Sequence, residues 1–494
     1  MAADPNGAAV FVTTLPTVLL LALAGVTALI GRVRPGLPAS FHRWLSSIAL
    51  VGAGAAAVIT LDGLTHTRGL GLAAYAGAVV ADRMGVFAVL LLCATGLVAV
   101  LTSGAASHRL GPRLPAFHAL VLTATAGGTV IAVQWEMGML VVGLGLLVIS
   151  LVGLVALEKT AEAPGEVALR ALAGGGVALA LLLYGLAILY GATGSTDLAA
   201  TAGLLVHAGP LEGLGLALTV LGLAYLVGAP PLHRWVLQVA SASNGAVAGA
   251  VVSLAAAAGG IALVRVMVSG FSTSLRPWVV LAAVLGVAAC LYPALLSLAA
   301  GGLRRLIGLG ACLQGGLLLT ALIAGGVGGD YKPAGGVTAL LFALVIFVLS
   351  VQASFQAVAR LDIDGIGTAF ADVRGLSRRS PTTAVLLCLG LAGLAGLPPL
   401  AGFVARILIA ESAVAAGYAW VGAASVVASV IYAIPAVQWM AAVLVEDDEQ
   451  PAVVPEMPRL PALVGAACGV FGVAATVVAG PLLYAANQAA TALR

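Results

Sequence analysis

Apolar runs about as long as a bilayer is thick follow one another along this chain and leave it few folds. They fall near 9–31, 44–62, 84–102, 116–134, 137–157, 168–192, 212–241, 243–268, 277–299, 305–325, 334–358, 382–417, 419–443 and 461–488. A helix of about 20 apolar residues crosses the ~30 Å hydrocarbon core. In lipid, only helices and closed barrels satisfy every backbone group internally. The runs therefore predict an all-α polytopic membrane protein of about 14 transmembrane helices. With 62% of its 494 residues hydrophobic and 8% charged, the chain is excluded from the large soluble enzymes. The loops are too short for a soluble domain. Glycine, at 64 residues, suits close helix packing in a bilayer. A net charge of +3 with no basic tract argues against a nucleic-acid partner and leaves the lipid bilayer as the expected surroundings.

Two of the runs are broken in the same way. Leu394 to Arg406 reads Leu-Ala-Gly-Leu-Pro-Pro-Leu-Ala-Gly-Phe-Val-Ala-Arg, and Gly228 to Trp235 reads Gly-Ala-Pro-Pro-Leu-His-Arg-Trp. Pro398 and Pro399, like Pro230 and Pro231, remove backbone donors and clash with the preceding turn, so a helix must break at each pair. In lipid, a broken helix persists where protein or a water-filled cavity meets the freed backbone groups. Paired discontinuous helices are the pattern of internally repeated transporters. Arg406 follows Pro399 by roughly 10 Å of helix, and a fixed cation inside a membrane is a functional candidate by default.

The basic residues divide unevenly between alternate loops. With the N-terminus placed outside, fifteen Lys and Arg fall on the cytoplasmic side and five on the other, so the positive-inside rule puts both termini on the outer side. The acidic run Glu446-Asp-Asp-Glu449 reads as a solvated loop, with a docking patch for a neighbouring subunit as the sharper idea. Glu136 reads as interfacial, or more sharply as a proton exit gate. His233, beside the first break, reads as a group satisfying freed carbonyls, with proton carriage as the alternative. Glu411 lies about 140° round the helix from Arg406, too far for good pairing, and is expected to be partly exposed. His118, His207 and Asp82 fall at span ends and read as interfacial, and Arg265 as able to snorkel. The five cysteines are scattered in apolar runs and read as small buried hydrophobes. No phosphate loop, catalytic triad or metal cluster is present, so no cofactor and no redox chemistry are expected on this chain. The N-terminus lacks the basic stretch of a signal peptide.

Several stretches together resemble one family, the antiporter-like membrane subunits of respiratory complex I, Mrp antiporters and membrane-bound hydrogenases. They are Leu182 to Asp197, Pro231-Leu-His-Arg-Trp235, Leu303-Arg-Arg-Leu-Ile307 and Arg374-Gly-Leu-Ser-Arg-Arg-Ser-Pro381, with Ala392 to Phe403 the most specific. The likeness runs from about Phe117 to Val445 and is greatest to the N-type subunit of bacterial NADH:quinone oxidoreductase. It implies fourteen helices with two inverted five-helix repeats, each holding a proline-broken helix. The division would be 1–115 (three helices), 116–268 (first repeat), 277–443 (second repeat) and 444–494 (last span). It also implies a bacterial inner-membrane location and other membrane subunits as partners. NADH, FMN, iron–sulfur clusters and quinone would be bound on partner chains.

The resembled family moves protons with a glutamate in span five, lysines in spans seven and eight and a lysine in span twelve. At the matching positions this sequence has Gly145, Leu226, Ala257 and Arg406. The first three cannot hold a charge, and arginine stays protonated at biological pH. Gln314 stands where the family has a tenth-span histidine, and it hydrogen-bonds without titrating. The expectation is an N-type membrane-arm subunit whose own proton path is degenerate and whose role is largely structural, with Arg406 seeking a counter-charge on a neighbouring chain. The rivals are an active Mrp-type cation/proton antiporter subunit, a membrane subunit of an ion-coupled hydrogenase, and a membrane scaffold with no transport.

Overall fold

The computed structural model describes residues 8–66, 71–105, 110–158, 164–205, 209–271, 275–326, 334–445 and 479–491. The acidic run 446–449, His207 and most of the last apolar run lie outside the described residues.

The first part of the chain contributes α1 (Ala8–Val33), α2 (Ala39–His66), a short antiparallel hairpin of β1 (Leu72–Ala74) and β2 (Val79–Ala81), and α3 (Arg83–Thr102). Next come α4 (Leu114–Val133), α5 (Met137–Ala156), α6 (Pro164–Thr193) and the short α7 (Leu198–Leu204). A split span, α8 (Pro210–Ala224) and α9 (Arg234–Ala242), leads into α10 (Gly245–Leu263). The second half has α11 (Leu275–Ser297), α12 (Leu303–Gly326), α13 (Ala334–Ile363) and the single turn α14 (Leu376–Arg379). A second split span, α15 (Pro381–Ala395) and α16 (Ala401–Ala415), precedes α17 (Ala419–Leu444), and α18 (Ala479–Thr491) is last. Among the described residues eleven helices are long and apolar enough to cross a membrane, and the two split spans add to them. Each split span occupies the fourth place in a run of five, α4 to α10 and α11 to α17.

At the centre stands α10, Gly245 to Leu263, in which every residue is buried. Its sequence is almost wholly Gly, Ala and Val, and lipid offers helices no hydrophobic drive to associate, so small residues that let backbones close up are what holds it. A Cβ on Gly245 would collide with the backbone of Phe355 and Ala359 in α13, one on Gly259 with Leu226, and one on Gly260 with Leu344. The helix thus touches the second repeat on one side and the first break on the other.

Both ends of α10 are fixed by charge. At its start both oxygens of the buried Glu158 accept from Asn244 N (2.8 and 3.0 Å) and Asp362 Oδ2 accepts from Gly245 N (3.0 Å). Anions suit the positive end of a helix dipole. Arg304, from the Leu-Arg-Arg-Leu motif, pairs with Asp362 and donates to Ser243 O (2.5 Å). At its far end α10 passes into a π-helical turn, Val264–Gly270, a form that marks an inserted residue in a helix.

That turn carries Arg265, which does not snorkel: it is fully buried and pairs in bidentate fashion with Asp82 (2.6 and 2.8 Å). The guanidinium also donates to Ala132 O (2.6 and 3.1 Å) and lies 5.6 Å from the Trp135 ring. Asp82 is not interfacial but buried, where it also caps α3 by accepting from Gly85 N (2.6 Å). His118 is likewise buried, with Nε2 2.8 Å from Ser103 Oγ. Position near a span end misleads in these cases because the first three helices and the hairpin cover the ends of α4 and α10.

Breaking a buried pair by removing one partner costs about 3–5 kcal/mol, whereas replacing both by apolar groups is often neutral. Asp82→Leu should therefore lower the unfolding temperature markedly, and Asp82→Leu with Arg265→Met should restore most of it. A double variant no more stable than the single one would show that Arg265 is not held by Asp82.

Candidate functional site

The two breaks have the same backbone construction. In the first, Ala229 N donates to Ala224 O (3.0 Å) and Gly228 N to Tyr225 O (3.0 Å). In the second, Leu397 N donates to Ala392 O (3.0 Å) and Gly396 N to Gly393 O (3.2 Å). Gly228 and Gly396 adopt φ of 72° and 64°, a left-handed conformation that favours glycine. The bonds Pro230–Pro231 and Pro398–Pro399 are both cis.

The side chains around the breaks differ. In a regular helix Leu394 O would accept from the residue four places on, which is Pro398 and has no N–H. Arg406, 7% exposed, reaches back along α16 and donates through Nη2 to that carbonyl, and Gln314 Nε2 from α12 donates to it at 3.2 Å. The cation and the amide singled out in the sequence thus meet on one oxygen orphaned by proline. Arg406 Nε and Nη1 are buried and find no partner among the described residues. Tyr432, in α17, donates its hydroxyl to Leu306 O (3.0 Å).

At the first break the equivalent space is apolar. Leu226 is 3% exposed and packs on Gly259, and Ala257 in α10 is fully buried. Beside Leu226, Val148, Leu151, Val251 and Ala255 enclose a void of about 10 Å³, at the lower limit for one water molecule. Gly145 is half-buried on α5, with open space where a side chain would begin. None of these three positions presents a group able to take a proton. The carbonyl of Tyr225 is met by Trp235 Nε1 (2.8 Å), and the Tyr225 hydroxyl donates to Ala171 O (3.1 Å).

The remaining candidates are dispersed. His233 is buried with its ring 5.0 Å from that of Tyr292, and its Nδ1 meets no partner among the described residues. Glu136 accepts from Thr196 Oγ1 (3.0 Å), and its backbone bridges to Asp197, which ties α5 to the end of α6. Glu411 is exposed and forms no ion pair with Arg406 among the described residues. Sequence reasoning missed Glu158, Asp362 and the buried bond from Gln352 Nε2 in α13 to Ser253 Oγ in α10 (2.7 Å). Arg304 lies in a quoted motif, but its partners come from distant helices.

The backbone of α12 passes so close to the first break that a Cβ on Gly315 would sit on the carbonyl of Val227. Gly315→Ala should destabilise the protein by about 1–3 kcal/mol through overpacking. Gly145→Ala, with nothing within 4 Å, should leave stability unchanged or slightly raised. Thermal unfolding of the two variants side by side checks this, and equal stability would contradict the close approach.

The family described as NADH:quinone oxidoreductase/Mrp antiporter, TM matches residues 136–432. An NADH-quinone oxidoreductase subunit N 1 from Solidesulfovibrio magneticus is 32% identical over 380 residues, 76% of this chain and 80% of that protein. A chain from the structure of respiratory complex I from Thermus thermophilus with bound aureothin is 26% identical. It superposes with a TM-score of 0.76 over 95% of this chain and 98% of that one. A chain of the Mrp complex from Dietzia sp. shares the fold, with a TM-score of 0.82 at 18% identity over 97% of each. With these matches, the chain belongs to the NADH:quinone oxidoreductase/Mrp antiporter family of multi-pass membrane proteins.

Proposed function

We propose that this chain is the N-type antiporter-like subunit in the membrane arm of a bacterial NADH:quinone oxidoreductase. Its role there is to extend the arm and join neighbouring membrane subunits, while its own proton path is degenerate. The observation that carries this reading is the use made of Arg406. Its guanidinium holds the carbonyl orphaned by Pro398, while the matching positions elsewhere are Gly145, Leu226 and Ala257. A relay through lipid needs titratable groups linked by water at the midplane, and an always-protonated cap on a backbone oxygen is not one. Electron transfer, with its nucleotide, flavin, iron–sulfur and quinone sites, belongs to partner chains. Both termini lie on the outer face, as the asymmetry of basic loops requires, and the chain divides at 1–115, 116–268, 277–443 and 444–494.

The shared fold with an Mrp chain favours one second reading, an active cation/proton antiporter subunit. That reading needs a titrating group at the positions of Gly145, Leu226 or Ala257. Co-purification separates the two: flavin and iron–sulfur chains accompany the first, small antiporter subunits the second.

The assignment of Arg406 has its own test. In the purified complex, Arg406→Ala should leave protons pumped per electron unchanged while lowering the unfolding temperature, since an unsatisfied buried carbonyl costs about 1–3 kcal/mol. A lower pumping ratio at full electron-transfer activity would place Arg406 in a proton path.

A further inference from the structure

Between α16 and α17 the surface opens into a groove of about 450 Å³. Its floor is the second break at Gly396 to Pro398. Its walls include Phe403, Ile407 and Val414 from α16 and Val426 and Val430 from α17, which are 39–60% exposed. Arg406 enters this wall with its stem, because Nε and Nη1 are buried away from the surface. At the opposite end stands Glu411, whose side chain is exposed and lines the groove.

The depth of the groove follows from the helices. Fifteen residues of α15 and fifteen of α16 flank the break, so the break lies midway through the span. From Ala401 to Glu411 the helix rises about 15 Å, half of the ~30 Å hydrocarbon core. The groove therefore runs from the bilayer midplane to the edge of one leaflet, where headgroups begin, and Glu411 marks that edge.

We infer that this groove binds one phospholipid, with an acyl chain along the apolar walls and an amine-bearing headgroup, as in phosphatidylethanolamine, paired with Glu411. The walls demand a filler, since side chains facing empty space forfeit their dispersion contacts. An acyl chain matches in length the roughly 15 Å that the groove runs along the helix. The carboxylate selects the headgroup: it repels anionic lipid and attracts an ammonium.

The test uses the full chain, with whatever chains accompany it, reconstituted in vesicles of equal parts phosphatidylethanolamine and phosphatidylglycerol. After mild-detergent extraction, the lipid retained by each protein is measured by mass spectrometry. Wild type should keep a tightly held phosphatidylethanolamine that Ala433→Phe, which fills the groove, loses. Glu411→Gln should keep a lipid but lower its ethanolamine-to-glycerol ratio about threefold, the scale of a partly exposed ion pair. The same lipid count and headgroup ratio in all three proteins would overturn the proposal. A photoreactive benzophenone residue at Val430 in the otherwise native chain gives a second readout that does not depend on filled-groove variants folding. A lipid adduct supports the site, and an adduct to another polypeptide overturns it.

Discussion

The helix from Gly245 to Leu263 is buried at every residue, and its neighbours are arranged to keep it so. The buried run from Gly245 to Leu263 has almost no side chains to interlock, so its place is set by close backbone contact along its length and by charges at its ends. Glu158 and Asp362 hold its first amides, and the Asp82–Arg265 pair holds the turn beyond its last residue. Each charge is taken out of water and repaid by partners from another part of the chain, the segment after α5 and α13 at one end and the segment before α3 at the other. The three N-terminal helices are thereby fastened to the centre rather than left as a separate bundle.

The same demand, that no backbone group be stranded in lipid, explains the breaks. Two consecutive prolines delete two amide donors, and the helix before them is left with carbonyls that nothing in its own sequence can reach. Each break saves what it can with two local bonds and a left-handed glycine. The second goes further and calls in Arg406 and Gln314 from either side of the fold to hold Leu394 O. A cation in that role is immobilised: its hydrogen bond to the carbonyl persists only while it stays charged and in place. The first break keeps the geometry but surrounds it with Leu226, Val251 and Ala255. The two breaks thus share one backbone design and differ in what surrounds it, an arginine and an amide at the second and apolar side chains at the first.

Much of this is legible in the sequence, for physical reasons. Apolar runs must span, paired prolines must break, and an arginine after a break must find acceptors nearby, because these depend on neighbours a few residues away. What is not legible depends on contacts between distant segments. Nothing near Arg265 announces Asp82, and a charge at a span end is open to solvent unless another helix covers it, which the hairpin and α3 do here. Glu158 reads as a loop residue until the start of α10 is placed against it. Gly315 looks like any glycine of a membrane helix until the carbonyl of Val227 fills the space a methyl would need.

The central claim is that protons have no route through the middle of this chain. The most direct measurement is a map of the assembled complex, resolved well enough to show ordered water inside the membrane. The account predicts a dry interior from Leu226 past Ala257, with water confined to the vicinity of Arg406 and the helix ends. An unbroken file of water joining the two breaks through α10 would contradict it.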